Sequence, residues 1–256
     1  MPDGAANPVC PTRILACEEI DSTNSEAMRR ALAGETGPLW ITAELQTRGR
    51  GRSGRSWSSP RGNLYATLLF RPACKPELVH QLSLLAGVAV HAAVSAIGTV
   101  PGLRLKWPND VLVGAAKLAG VLPESILGQT GEPLALLGIG INLASSPADT
   151  GRAVTHLSAH GLTVSPAEAL RLVDTSLAKW LGLWDGGQGF AKVRAAWLER
   201  AGPEGERLIV NSGKRQIEGR FAGLDPSGSL LLRDPEGRSH RVTFGDVTVL
   251  PQLSGA

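Results

Sequence analysis

Residues 46–63 read Q-T-R-G-R-G-R-S-G-R-S-W-S-S-P-R-G-N, and the reading of this stretch decides the fold class. Gly49-x-Gly51-x-x-Gly54 matches the dinucleotide fingerprint G-x-G-x-x-G letter for letter. That fingerprint needs a helix directly after it, so that the helix N-terminus can hold a pyrophosphate. Here Pro60 and Gly62 follow, and then the strand-like Y-A-T-L-L-F of 65–70. The context argues against a doubly wound nucleotide fold, and no G-x-x-x-x-G-K-[ST] exists elsewhere. What remains is five arginines, Arg48, Arg50, Arg52, Arg55 and Arg61, with no acid among them and with Trp57 in their midst. Such a segment buries little and repels itself, so it does not offset its ordering entropy alone. It is read as a phosphate-binding lid that orders on an anion; the plainer alternative is a solvated surface loop.

Composition localises that charge. The chain has 256 residues, 43% of them hydrophobic, and a formal net charge of +3. Without the five loop arginines the balance is −2. The pattern indicates a discrete anion site rather than the broad basic face of a nucleic-acid binder. The length suits one medium domain with a sizeable core and a small appendage. Cys10, Cys17 and Cys74 are odd in number and form no C-x-x-C pair, which points away from a disulfide framework or zinc site and towards a reducing, cytoplasmic setting. The N-terminal M-P-D-G-A-A-N-P-V-C-P lacks the basic start and apolar stretch of a secretory signal. The most apolar run, 82–100, is interrupted by His91, Ser83, Ser95 and two glycines. It reads as a buried helix, not as the ~20 apolar residues of a membrane span.

Around the loop the periodicity alternates between helix and strand. Residues 22–33 read as a helix with Ser22 as N-cap and Gly34 as the stop. Strand-like runs cover 39–45 and 63–70, the latter closed by Pro72 and Pro76, and an apolar helix is expected over 77–97. Short strands at 103–106 and 110–113 flank Trp-Pro-Asn, with further strands at 117–122 and 134–141. Segment 144–163 reads as loop. Pro166 opens a helix over 166–182, and a second amphipathic helix covers 188–200. Beyond Glu206, β runs at 207–211, 216–224, 229–233, 240–244 and 247–250 alternate with turns such as P-S-G and P-E-G. That rhythm suggests a small barrel, with Gly202-Pro203 as the boundary.

Three clusters carry candidate chemistry. In Lys106-Trp107-Pro108-Asn109-Asp110, Pro108 makes a tight corner. Asn109 offers an amide edge, and Asp110 a carboxylate able to position a nucleophile or a magnesium-bound water; ordinary turn chemistry explains the pair equally well. Lys117 at the head of an apolar strand either snorkels to solvent or points into a polar site, and Gly120 permits close backbone approach. Gly138 and Gly140 share a strand face and leave a slot with Asn142 at its mouth. Taken singly, each also fits plain strand packing.

In order, D-S-T-N (21–24), Q-x-x-G-R-G-R-x-G-R-x-W (46–57), K-W-P-N-D (106–110), K-L-A-G-V-L-P-E (117–124) and G-I-G-I-N (138–142) resemble the biotin–protein ligases, over about residues 14–250. The resemblance implies an α/β (α+β) fold: a catalytic domain similar to class II aminoacyl-tRNA synthetases at 1–202 and an SH3-like domain at 203–256. About twenty residues precede D-S-T-N, too few for the winged helix that some members carry, so the chain resembles the monofunctional form. Two positions depart from the pattern. Arg48 stands where a small residue is usual, and Pro123 precedes Glu124, where it marks a bulge or a shortened strand.

The same resemblance implies substrates and roles. Biotin and Mg·ATP would form biotinyl-5′-AMP, and a lysine of a biotin carboxyl carrier protein would accept the biotin; neither nucleic acid nor membrane is expected as a partner. Monomer and homodimer both stay open. Ser22, Thr23 and Gln46 would bond the ureido group, with Asn24 beside them. Gly49, Arg50, Gly120, Gly138 and Gly140 would wall the ring and chain. Arg50, Arg52 and Arg55 would clamp phosphates, Trp57 would cover adenine, and Asn109 and Asn142 would lie near the nucleoside with Lys106. Lys117 would contact carboxylate and α-phosphate, and Asp110 would orient the amine or a magnesium shell. A lipoate or octanoate ligase or transferase is the competing enzyme reading; the transferases of that group use a cysteine nucleophile, and Cys74, beside Pro72 and Pro76, has no evident partner. A nucleic-acid binder using the arginine loop is the competing non-enzyme reading.

Overall fold

The computed structural model describes residues 12–129, 131–148, 151–213 and 215–250. Cys10, the N-terminal stretch weighed as a signal, and the last residues of the expected second domain lie outside them. The chain runs β1 (Arg13–Ile20), α1 (Thr23–Leu32), β2 (Leu39–Gln46), β3 (Leu64–Phe70), α2 (Gln81–Ile97), β4 (Leu103–Lys106), β5 (Asp110–Val113), β6 (Ala116–Leu127) and β7 (Pro133–Ile141). Then follow α3 (Pro166–Trp184), α4 (Phe190–Glu199) and five short strands: β8 (Arg207–Ser212), β9 (Arg215–Leu224), β10 (Leu230–Arg233), β11 (Ser239–Val242) and β12 (Asp246–Val249). The first seven strands form one sheet in the order β1-β2-β3-β7-β6-β5-β4. Only β1 and β2 pair in parallel within it. The last five form an antiparallel sheet in the order β11-β10-β9-β8-β12.

Strand alternation gives the large sheet two different faces. Trp40, Ala66, Leu68, Leu137, Ile139, Ala119 and Val111 point to the main core, which runs on through α2, α3 and α4 into the second sheet. α2 is buried continuously from Gln81 to Val90, so it is apolar all round instead of amphipathic. Each fully buried Leu or Val there contributes about 1.5–3 kcal/mol. The polar tips of the large aromatics are satisfied: Trp40 donates to Asp174 and Trp184 to Gln81, both at 2.7 Å. On the opposite face α1 covers Leu39, Ile41, Leu69, Leu134 and Leu136 through Ala27 and Ala31. No helix among the described residues is long and apolar enough to cross a membrane.

Four local readings change. β1 is an additional edge strand: its short apolar run, Ile14 to Cys17, is cut off by Glu18 and Glu19, and Ile14 itself is exposed. α2 starts at Gln81, not at 77, because Pro76 opens a separate 3-10 turn over Pro76–Leu78. β6 extends to Leu127 instead of stopping at 122. Pro123 neither bulges nor shortens it, since it stays in register with Leu137. The N–H of Val121 points to Asn109 on the β5 side. Two residues on, position 123 faces the same way but lies past the end of β5, where no donor is required.

Candidate active site

The face beneath α1 changes character along the strands. Leu69 and Leu136 give way to Thr67 and Gly138, and then to Tyr65, Gly140 and Gly120, which pair across β3, β7 and β6. The glycines are needed because other groups occupy the space their side chains would take. A Cβ on Gly138 would sit 2.1 Å from Asn24 Oδ1, and one on Gly140 would sit 2.7 Å from the Trp57 indole. At Gly120 a Cβ would touch Lys117 and Trp57, and at Gly49 it would meet the Trp57 carbonyl. The slot foreseen between Gly138 and Gly140 is therefore lined by Asn24 at one end and Trp57 at the other.

The N-terminus of α1 delivers Ser22, Thr23 and Asn24 to this floor, all buried. Ser22 holds the N-cap position, yet its hydroxyl makes no capping bond. Gln46 accepts from the Thr23 N–H at 2.8 Å and donates to Ser59 at 2.8 Å. Thr67 donates to Asn24 Oδ1 at 2.6 Å, and its hydroxyl lies 2.8 Å from that of Thr23. Asn24 in turn donates to Glu124 at 2.8 Å and to the Leu122 carbonyl. The result is a continuous neutral network ending on one carboxylate, with its polar atoms paired as burial demands. Thr67, Ser59 and Glu124 were not among the expected site residues. Glu124 closes the K-L-A-G-V-L-P-E motif and was visible there; Thr67 is hidden in a strand with no polar spacing to mark it.

Lys117 reaches the site through an irregularity of the sheet. Asp110 pairs with Gly120 and Val111 with Ala119, but Leu112 pairs with Lys117, so β6 carries one extra residue. Such a bulge reverses the alternation and turns Lys117 onto the face of Asp110 and Gly120. Lys117 is 7% exposed and Asp110 6%. The Asp110 carboxylate pairs with Lys117 on one oxygen and with Lys106, at 2.9 Å, on the other. Burial opposes ionisation of Asp110, but the two lysines outweigh it and hold its pKa at about 2. Burial brings Lys117 down to about 8, with Arg152 and Lys106 pushing the same way against the pull of Asp110. Its ammonium also lies 5.1 Å from the centre of the Trp57 ring. Lys117 thus points into a polar site and does not snorkel.

The arginine loop is a short hairpin over this floor. Arg50 bridges Ser56, the Gly51 N–H donates to Arg55 at 2.7 Å, and the Trp57 N–H donates to Gly49 at 2.9 Å. Its tip turns through Ser53 and Gly54, both at positive φ. The arginines part company. Arg50 pairs with Glu124 at 2.5 Å, while Arg55 pairs with Asp246 of β12 at 2.5 Å. Arg52 donates to Asn109 at 3.3 Å and to the Gly245 carbonyl at 3.2 Å, beneath Phe244. Burial lowers its pKa from the ordinary value, against Asp246 and Asp110. Arg61 pairs with Glu44 well outside, and Arg48 is exposed.

Two cavities meet here. One is lined by Ser22, Thr23, Asn24, Gln46, Gly138 and Gly140, the other by Asn142, Pro147, Ala148, residues 151–154 and the start of β12. Trp57, Lys106, Asp110, Lys117, Arg55, Arg152 and Asp246 border both. Six cations against two carboxylates line the first cavity, which suits an anionic ligand. Asn142 donates its side-chain N–H to Thr155, and Asn109 donates to Val121. Cys74 borders neither cavity, and burial, helped by Glu77, pushes its thiol pKa up, the opposite of what a nucleophilic thiolate requires.

Comparison with known proteins agrees with this layout. The model of the Biotin/lipoate A/B protein ligase family matches residues 17–142, and that of the Biotin protein ligase C terminal domain matches residues 205–250. A biotin–[acetyl-CoA-carboxylase] ligase of Paracoccus denitrificans is 42% identical over 226 residues, covering 85% of this chain and 93% of that protein. The bifunctional ligase/repressor BirA of Escherichia coli is 32% identical over 220 residues, covering 83% of this chain and 67% of that protein. The biotin protein ligase of Aquifex aeolicus, solved with biotin and ATP, superposes with a TM-score of 0.79 at 29% identity, covering 94% of this chain and 99% of that one. The fold is accordingly the class II synthetase-like α+β architecture with an SH3-like C-terminal module. With a relative this similar over nearly its whole length, the chain belongs to the biotin–[acetyl-CoA-carboxylase] ligases.

Proposed function

We propose that this protein attaches biotin to a carrier-domain lysine in two steps at the junction of the two cavities. A carboxylate oxygen of biotin attacks the α-phosphorus of Mg·ATP, the bond to pyrophosphate breaks, and biotinyl-5′-AMP forms. The ε-amine of a lysine on the biotin carboxyl carrier protein of a carboxylase then attacks the acyl carbon, expelling AMP and releasing a proton. The observation that carries this reading is the Lys117 ammonium, buried on the border shared by the two cavities, between the neutral hydrogen-bonded group of Thr23, Asn24 and Gln46 and the cations Arg52, Arg55 and Lys106.

The first step brings a carboxylate against a polyanion. Two unit charges at 4 Å repel by about 4 kcal/mol at an effective dielectric near 20. Lys117 offsets that repulsion and stabilises the charge developing on the α-phosphate oxygens without reorganising, since Asp110 already holds it. Asp110 therefore acts on the two lysines. Magnesium enters as part of the nucleotide: no cluster of His, Cys, Asp and Glu suited to a metal exists among the described residues, and both Asp110 oxygens face ammonium groups, so no magnesium ligand is placed there. Ser22, Thr23 and Gln46 bind the ureido group, with Asn24 supporting them. Gly49, Gly120, Gly138 and Gly140 keep the floor thin enough for the ring and chain. Arg52, Arg55 and Lys106 face the phosphates, and Asn109, Asn142 and Trp57 surround the nucleoside. Arg50 leaves the phosphate group of residues and ties the loop to Glu124. The boundary between the catalytic domain and the SH3-like one is placed between residues 202 and 203.

The test is direct. A carrier domain incubated with this protein, biotin, ATP and magnesium should gain the mass of one biotin on one lysine. An unmodified carrier, together with no biotin-dependent exchange of pyrophosphate into ATP, would end the proposal.

A further inference from the structure

Three cations at the nucleotide end are each met by one of three consecutive residues of the C-terminal module. Arg52 donates to the Gly245 carbonyl at 3.2 Å. Arg55 pairs with Asp246 at 2.5 Å, and the same carboxylate oxygen lies 3.8 Å from Arg52. Lys106 donates to the Val247 carbonyl at 2.9 Å. A tripeptide offering two carbonyls and one carboxylate to three positive side chains has the acceptor pattern of an oxyanion. Asp246 is 39% exposed on its side chain and borders both cavities. Its pairing is therefore open to water and to competing anions, unlike that of the buried Asp110.

From this we infer that Asp246 is a stand-in anion for the nucleotide: it occupies Arg52 and Arg55 before ATP arrives, in competition with the phosphates, and it yields them when ATP binds. The exchange trades one carboxylate for a polyanion on the same donors, so it runs forward when ATP binds and back when AMP leaves. This rests on the proposed reading of Arg52, Arg55 and Lys106 as the phosphate-facing cations. An exposed carboxylate–guanidinium pair is worth about 0.2–1 kcal/mol. Removing the competing charge should therefore strengthen ATP binding by a factor of only about 1.5–5.

The experiment is a comparison of Asp246→Asn, Asp246→Glu, Arg55→Gln and the double variant Asp246→Asn/Arg55→Gln by biotin-dependent ATP–pyrophosphate exchange. Asp246→Asn should lower KM for ATP by about 1.5–5-fold at low salt and leave KM for biotin unchanged. Asp246→Glu should behave like the parent, and the gain should vanish in the Arg55→Gln background. Amide exchange should show residues 50–57 less protected in Asp246→Asn without ATP, and equally protected with it. An unchanged or raised KM for ATP in Asp246→Asn would overturn the inference. If Arg55→Gln, Arg52→Gln and Lys106→Gln all left KM for ATP unaltered, the assignment of the phosphate-facing cations would fall instead, and the two failures are thereby told apart.

Discussion

The two ends of the cavity system are built on different principles. At the proposed biotin end, Thr23, Asn24, Gln46 and Thr67 sit on one sheet face and the helix that covers it, joined by neutral hydrogen bonds, with Ser22 buried beside them. Their positions follow from strand register and from the glycines that leave room for them. At the nucleotide end, cations from the arginine loop and the β4–β5 corner meet partners in the C-terminal module. The first arrangement is rigid and costly to disturb, because buried polar groups left unpaired lose their full desolvation energy. The second exchanges partners at small cost, because half-exposed ion pairs are weak. A shape-bound vitamin and a mobile polyanion call for these two kinds of site.

Lys117 stands where the two ends meet, so its loss should be the largest effect. Lys117→Ala should cost roughly 10²–10³-fold in biotin-dependent ATP–pyrophosphate exchange, comparable to removing one preorganised oxyanion donor. A rate near that of the parent would dissolve the distinction between the two ends by leaving nothing at their border. Arg52→Gly should act only on the nucleotide end. It removes charge-assisted bonds worth about 1.5–3 kcal/mol, so the adenylate should dissociate roughly 10–100-fold faster while biotin binding alone holds. An unchanged release rate of labelled adenylate would break the assignment.

Gly138→Ala should act only on the biotin end. The added methyl meets Asn24 Oδ1 and forces the network to shift, at a cost of about 1–3 kcal/mol typical of overpacking. Calorimetry should show a lower Tm and weaker biotin binding, with KM for ATP little altered. An equal loss at both ends would mean that the two are one mechanical unit.

The pH dependence sharpens the same contrast. Lys117, with its pKa drawn down to about 8, carries its charge below that pH and loses it above. The kcat/KM of the first step, which reports the free enzyme, should therefore fall as pH rises through about 8. Lys117→Arg should move that limb upward. Stability runs the other way. The unfolded lysine keeps its proton up to the ordinary value of 10.5, so between the two values the unfolded chain binds more protons and the native state gains stability with pH. Falling activity without falling Tm over this interval separates deprotonation from unfolding.

Much of this was legible from residue order alone. The glycine-spaced arginines, with Pro60 and a strand after them, excluded a dinucleotide helix, and the alternating runs matched most strands to within a residue or two. The ordered motifs named the floor, the loop and the lysine, because each needs a particular residue type at a particular spacing. Other features depend on contacts between distant segments. Thr67 looks like any strand threonine until register sets it beside Thr23 and Asn24. Asp246 lies in no motif, and it matters only because the second sheet packs its first residue of β12 against the loop. Arg50 and Arg55 are equivalent by spacing, yet one turns to Glu124 and the other to Asp246.

Residue chemistry by itself determined that a localised positive loop, a strand lysine and glycine-rich strands would serve an anionic substrate, since charge and side-chain volume are properties of the chain. The tertiary structure decided which way each group points. A single extra residue in β6 turns Lys117 onto the site face, and the packing of the two sheets chooses the partners of Arg52 and Arg55. Those outcomes depend on register and on the meeting of remote surfaces, which local spacing does not encode.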